Sequence, residues 1–221
     1  MRTLLVFLLL TLSIHTNAQE KMKLIYVGDP MCSWCYGIAN EWTEVVDHYK
    51  DAEVELVMGG LRPYNDETIA SMKDFLRGHW EEVNKRSGQE FSYDILDRAD
   101  LTYDTEPPSR AVVIVRALAP EKEVAFFKLV QKDFYFHNKD MSTSASYHNS
   151  LSKLEISIEE FDTKFEAPEA KENVRKDFER ASELGVNSFP TVLLSKGDEI
   201  IPVARGYAES EKMIERIRAA Q

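Results

Sequence analysis

The sequence predicts an α/β fold interrupted by a large all-helical insertion, and three observations carry that prediction. Two short apolar runs, Lys23 to Val27 and Val54 to Met58, flank an amphipathic run from Ile38 to Tyr49. This is the pattern of a parallel strand–helix–strand unit with a right-handed crossover. From Arg62 to about Ala167 the apolar residues recur instead at three- and four-residue spacing, the helical period. Strand character then returns: Val192 to Leu194 and Ile200 to Ala204 flank Lys196-Gly197-Asp198, which reads as a hairpin turn.

Taken in order, Gly59-Gly60 ends the first unit, and the helical block contains the periodic segments Asp66 to Arg86, Ser109 to Leu118, Glu121 to His137 and Thr143 to Leu154. Glu106-Pro107-Pro108-Ser109 reads as a helix start with Ser109 as its cap, and Pro120 closes that helix. Phe126, Phe127, Phe134, Tyr135 and Phe136 lie at helical spacing and are read as packing. Arg110, Arg116, His137 and His148 are read as capping or surface groups. Pro168 to Leu184 forms a further helix with Val174, Phe178 and Ala181 on its apolar side and Gly185 as its C-cap. Ser210 to Ala219 closes the chain as an amphipathic helix, with Ser210 as its N-cap and Met213, Ile214 and Ile217 facing inward. The expected division is 1–18 leader, 19–61 first part of the sheet domain, 62–167 helical insertion, and 168–221 second part of the sheet domain.

Residues 1–18 have the form of a secretory signal peptide: Arg2 starts it, Leu4 to Leu12 is its apolar middle, and Thr16-Asn17-Ala18 is a small-residue cleavage site. That apolar run is too short to span a bilayer. The mature chain is expected to begin at Gln19 and to be soluble and extracytoplasmic, in the periplasm or secreted, where disulfide chemistry operates. The net charge is −11, and removing Arg2 with the leader makes it −12. Such a balance argues against nucleic acid and against anionic lipid surfaces as partners.

The chemistry concentrates in Asp29-Pro30-Met31-Cys32-Ser33-Trp34-Cys35-Tyr36-Gly37, which holds both cysteines of the chain. Cys32 falls where a strand ends and a helix begins. Unpaired amides and the helix dipole favour an anion at such a place, and the thiolate is the form that attacks disulfides. Two intervening residues let Cys35 reach back and close a small ring. Zinc needs two more ligands, and His48, His79, His137 and His148 are scattered without ligand-like spacing, so no metal is expected. A structural disulfide across two residues would restrain little chain. Redox cycling is the better reading, and it calls for no further cofactor.

These marks, together with Gly185-Val186-x-x-Phe189-Pro190-Thr191 before the C-terminal hairpin, resemble the DsbA-like and FrnE-like thiol–disulfide oxidoreductases, a thioredoxin fold with a helical insertion. The resemblance covers nearly the whole mature chain. It implies that Cys32 is the nucleophile, Cys35 the resolving thiol, and Pro190 a cis proline facing them. Phe189 and Trp34, with Met31 and Tyr36, are expected to form an apolar rim that holds unfolded or disulfide-containing protein substrates. A separate redox partner would reset the site. The sequence departs from the family at two places. The acid six positions before the first cysteine is replaced by Tyr26, which leaves Asp29 or water as the proton relay, and the Ser33-Trp34 dipeptide lacks the histidine of DsbA-like oxidases.

Two other classes share the pattern. Kappa-class glutathione transferases and 2-hydroxychromene-2-carboxylate isomerases carry the same insertion but place serine where Cys32 stands. A chaperone-like module with an incidental disulfide would keep its function without either cysteine. The isomerases that dimerise do so through an extra N-terminal domain, which has no room between Gln19 and Lys23, so a monomer is expected.

Overall fold

The strands β1, Lys23–Gly28, and β2, Glu53–Met58, run parallel, in register from Lys23 opposite Glu53 to Gly28 opposite Met58. The computed structural model describes residues 22–221; the leader 1–18 and the start at Gln19 lie outside the described residues. Between these strands the chain forms α1, Ser33–Gly37, and α2, Ala39–His48. The single helix expected from the cysteines onward is therefore bent at Ile38. The amide of Ile38 still donates to Trp34 O and its carbonyl accepts from Trp42, so the ladder passes through the bend. Gly37 sits there because a Cβ would lie 2.7 Å from Val83 Cγ1 on a neighbouring helix.

That neighbour is α3, Lys73–Ser87, the first of the helices between the two halves of the sheet. It is followed by α4, Glu106–Leu118, α5, Glu123–Tyr135, α6, His148–Lys153, α7, Ile158–Glu166, and α8, Pro168–Glu183. Several ends differ from the sequence reading. The run from Asp66 winds into a helix only at Lys73, after a 3-10 turn over Ala70–Met72. Ser109 does not cap α4; Thr105 precedes the helix, and Pro107 and Pro108 occupy its first turn, where proline's missing N–H costs nothing. Thr143 to Leu154 divides into a 3-10 turn, Ser144–Tyr147, and α6. Helix α7 was not anticipated; the Ser157 hydroxyl caps it by accepting from the Glu160 amide. Gly185 takes a left-handed φ of 69° directly after Leu184, the residue that caps α8, and Val186 N closes back on Ala181 O.

β3, Thr191–Lys196, returns antiparallel to β1, and β4, Glu199–Arg205, completes the hairpin, giving the order β2-β1-β3-β4. Pro202 is accommodated on this edge strand near an irregularity in register beside Val192 and Leu193. The final helix α9, Ser210–Ala220, starts after Glu209 rather than with Ser210 as its cap. Ser210 instead donates from its amide to Glu41 and from its hydroxyl to Glu44, tying α9 to α2.

Strand side chains alternate between two buried faces. Leu24, Tyr26, Leu56, Met58, Val192 and Leu194 join the large core, which includes α2, α9 and the insertion helices; Ile25, Val27, Val57 and Leu193 form a smaller core with Ala181 of α8. Phe126, Phe127, Phe134 and Tyr135 are buried in the large core, whereas Phe136 reaches solvent. Arg116 is no surface group: it pairs with both oxygens of Asp177, with Glu123 and with Leu56 O, while Asp177 accepts from Met58 N. The knot joins α4, α5 and α8 to the end of β2. Arg110, also buried, pairs with Glu106 at 2.9 Å. No helix among the described residues is long and apolar enough to cross a membrane.

Replacing Gly37 by Ala forces a methyl group into the α1–α3 contact. Overpacking of this kind costs about 1–3 kcal/mol, so urea unfolding of Gly37→Ala should show an unchanged slope and a midpoint lowered by that free energy divided by the slope.

Candidate active site

The carboxyl ends of β1 and β2 and the amino end of β3 meet at one edge of the sheet, because Val27 pairs with Thr191 and Gly28 with Met58. The loop leaving β1 turns tightly: Asp29 Oδ1 accepts from Met31 N at 2.8 Å and Asp29 O accepts from Cys32 N at 3.1 Å. Cys32 thereby becomes the N-cap of α1, with extended φ and ψ of −89° and 117°. Across from it the Phe189-Pro190 peptide is cis, and Cys32 Sγ donates to Phe189 O at 3.6 Å.

Both cysteines are free thiols, and they differ in surroundings. Cys32 keeps 5 % of its surface open, whereas Cys35 is sealed at 0 %. Burial pushes the Cys35 thiol well above its ordinary value, and its hydrogen bond and electrostatic coupling to Cys32 push it further. Cys35 therefore holds its proton until something takes it.

Tyr26 cannot be that acceptor. Its hydroxyl donates to Cys35 O at 3.4 Å, and burial raises its own ionisation well above the usual range. Asp29 is fully buried beneath the loop, where its second oxygen accepts from Leu61 N at 2.8 Å. Burial lifts its carboxyl to about 6, against the backbone hydrogen bonds of Leu61 and Met31 and the Thr105 hydroxyl, which favour the anion. Asp29 thus staples the cysteine loop to the loop after β2, and it contributes charge near Cys35.

Two of the four expected rim residues sit at the opening. Trp34 and Phe189 are half-buried, and the Phe189 ring lies where a side chain at Gly59 would be, 2.1 Å from an ideal Cβ. Met31 and Tyr36 do not belong to an open rim. Met31 is 3 % exposed, and Tyr36 stacks on Tyr135 at 5.0 Å with its hydroxyl donated to Glu90 O. Their burial follows from the insertion: the Tyr103 hydroxyl donates to Met31 O, and Phe91 and Tyr135 of α5 pack on the Tyr36 ring. Sequence reading missed residues that do line the opening: His79 packs edge-on to Trp34 at 5.9 Å, Tyr207 lies 6.1 Å from it, and the exposed Phe75 stacks on His79. The i, i+4 spacing of Phe75 and His79 on α3 was the available signal. A groove of about 640 Å³ continues from Trp34 past Tyr207, lined by Glu82, Lys85 and Arg86. Among the described residues no cluster of three or more His, Cys, Asp or Glu could hold a metal ion.

A family model described as thioredoxin matches residues 25–201, most of the chain and both ends of this site. The chain belongs to the thioredoxin family. Within it the architecture is DsbA-like, and with its free Cys-x-x-Cys pair the protein is a thiol–disulfide oxidoreductase. Its fold matches the structure of a candidate protein disulfide isomerase from Nitrosomonas europaea with a TM-score of 0.83 and 29% identity, over 90% of this chain and 97% of the other. It also matches the cytosolic disulfide reductase DsbM of Pseudomonas aeruginosa, TM-score 0.74 and 20% identity, over 90% and 98% of the two chains. A candidate DsbA oxidoreductase from Streptomyces coelicolor aligns at 0.71 and 16%, over 90% and 89%. No curated protein matches this thioredoxin-family chain.

Because the folded-state value of Asp29 lies above the unfolded value, the stability it lends is complete below about pH 4 and is lost as pH rises through about 6. Asp29→Asn removes that titration. Unfolding free energies measured from pH 3.5 to 7.5 should therefore show the wild type losing about 3 kcal/mol relative to the variant across this window, and parallel curves would show that the carboxyl is not so perturbed.

Proposed function

We propose that this protein is an extracytoplasmic thiol–disulfide oxidoreductase that acts on protein substrates through a mixed disulfide. The observation that carries the reading is the unequal pair at the helix start, with Cys32 at the opening beside Phe189 O and Cys35 sealed behind it. In the reducing direction Cys32 Sγ attacks one sulfur of a substrate disulfide. The Cys32–substrate bond forms, and the other substrate sulfur leaves and takes a proton. Cys35 Sγ, giving up its proton, then attacks Cys32 Sγ, closes the Cys32–Cys35 disulfide and frees the second substrate thiol. Two electrons and two protons pass to the substrate, and the reverse sequence oxidises a dithiol.

Pro190 follows Phe189 and contributes no N–H, which leaves backbone at this edge for an extended substrate segment. Trp34 and Phe189 supply apolar contact to a chain whose own core is exposed. The leader-like segment 1–18 supports export, and a monomer suffices because both thiols and the facing loop come from one chain. The division into 19–61, 62–167 and 168–221 assigns the redox pair and its facing loop to the two halves of the sheet domain. A serine-based transferase is disfavoured by the thiol at position 32, and a binding module by its apposition to Phe189 O.

Cys32→Ser should abolish insulin reduction and dithiol oxidation, and retained turnover would exclude the mechanism. Cys35→Ala should accumulate mixed disulfides with extracytoplasmic proteins, visible as adducts that dithiothreitol releases on a non-reducing gel.

A further inference from the structure

The mechanism needs a destination for the Cys35 proton, and the position where the resembled family keeps an acid holds Tyr26, a donor to the backbone. Cys35 lines a small cavity together with Tyr26, Ala39, Trp42, Lys128 and Gln131. The space open to the centre of a water molecule there is about 10 Å³, at the lower bound of the roughly 10–15 Å³ that one water requires. On its far side an open groove of about 480 Å³ reaches solvent, and Ala39, Lys128 and Gln131 line it as well. These three residues are the wall between the resolving thiol and the outside.

Two features of the wall are polar. Gln131 is 1 % exposed, and its Nε2 has no hydrogen-bond partner among the described residues. An unpaired buried amide costs about 1–3 kcal/mol, which a water in the cavity would remove. Lys128 is half-buried and donates from Nζ to Thr43 Oγ1 at 2.6 Å. Both come from α5, so the helical insertion supplies polar groups where β1 has no acid.

We propose that Gln131 and Lys128 form the proton exit of Cys35, a relay through one water in this cavity. The inference rests on the oxidoreductase reading of the cysteine pair. As Cys35 Sγ attacks Cys32 Sγ, its proton passes to a water oriented by the Gln131 carboxamide and from it to the amine of Lys128, which has released its own proton to the groove. The Cys32–Cys35 bond forms, the Cys32–substrate bond breaks, and the electron pair leaves on the substrate sulfur. Burial lowers the Lys128 ammonium, with Asp47 of α2 opposing, so the neutral amine needed for acceptance is easier to reach. The groups facing Cys35 are Cys32, Asp29 and Tyr26; those around Lys128 are Asp47, and Glu90 and Lys132 along the groove. Asp29 is the competing acceptor, with each oxygen already taken by a backbone amide.

Reaction of the reduced protein with Ellman's reagent separates the steps, since attack by Cys32 releases one thionitrobenzoate and resolution by Cys35 releases the second. Stopped-flow traces should be taken from pH 5 to 9 on the wild type, Gln131→Leu, Gln131→Met, Lys128→Met, Lys128→Arg and Asp29→Asn, with thermal unfolding of each. The relay predicts a second phase slowed at least tenfold relative to the first, with its pH midpoint moved upward, in the glutamine variants and in Lys128→Met. Lys128→Arg should be equally slow, because guanidinium keeps the charge but does not give up a proton. The Met variant at position 131 carries the test if the Leu variant fails to fold. A wild-type pH profile in Lys128→Arg, or slowing by Asp29→Asn alone, would overturn the relay. Absence of both phases in the unaltered protein would remove the oxidoreductase reading beneath it.

Discussion

The antiparallel register of β1 and β3 is the constraint on which the site depends. With Val27 opposite Thr191, the loop that follows β1 and the loop that precedes β3 emerge at the same edge, and Cys32 Sγ comes within 3.6 Å of Phe189 O across 157 residues of chain. A slip of one residue would exchange the side chains of the two faces. Tyr26 would leave the core it shares with Trp42 and Phe127, and Val27 would leave the smaller core beneath α8. Both faces are buried, so neither exchange is tolerated and the register is pinned from two sides. Asp29 then fixes the loop itself, with one oxygen on Met31 N and the other on Leu61 N.

From that fixed edge the unequal chemistry of the two thiols follows. The bend at Ile38 lets α1 lie against α3 while α2 covers the sheet, leaving Cys32 at the helix start and Cys35 one turn inside. Desolvation keeps the inner thiol protonated. The outer one stands at the opening beside the Phe189 carbonyl. In the proposed mechanism each thiol takes its role from where it sits, not from its chemical identity. The helical insertion contributes to both sides of this arrangement: α3 brings His79 to the opening beside Trp34, and α5 brings Gln131 and Lys128 to the cavity behind Cys35.

Much of this was legible in the sequence wherever a local pattern decides the outcome. The apolar runs from Lys23 and Val54 are strands, Lys196-Gly197-Asp198 is the hairpin turn, and Gly185 ends α8 in the left-handed conformation. The position of Cys32 between strand and helix was readable for the same reason. What escaped is set by packing between distant segments. The bend at Ile38 answers to Val83, the burial of Met31 and Tyr36 to Tyr103, Tyr135 and Phe91, and the union of Trp34 with His79 and Tyr207 to three separate elements. Helix α7 was missed because it is short and lies in a charged stretch, with only Phe161 and Phe165 buried. Arg116 looked like a surface residue because its partners Asp177 and Glu123 come from other helices.

The central claim is that two cysteines three residues apart have been made chemically unequal by their placement. Limited alkylation of the fully reduced native protein with substoichiometric iodoacetamide at neutral pH, followed by peptide mass spectrometry, tests it directly. The account predicts label on Cys32 in large excess, with Cys35 modified only after denaturation; comparable labelling of the two, or earlier labelling of Cys35, would contradict it.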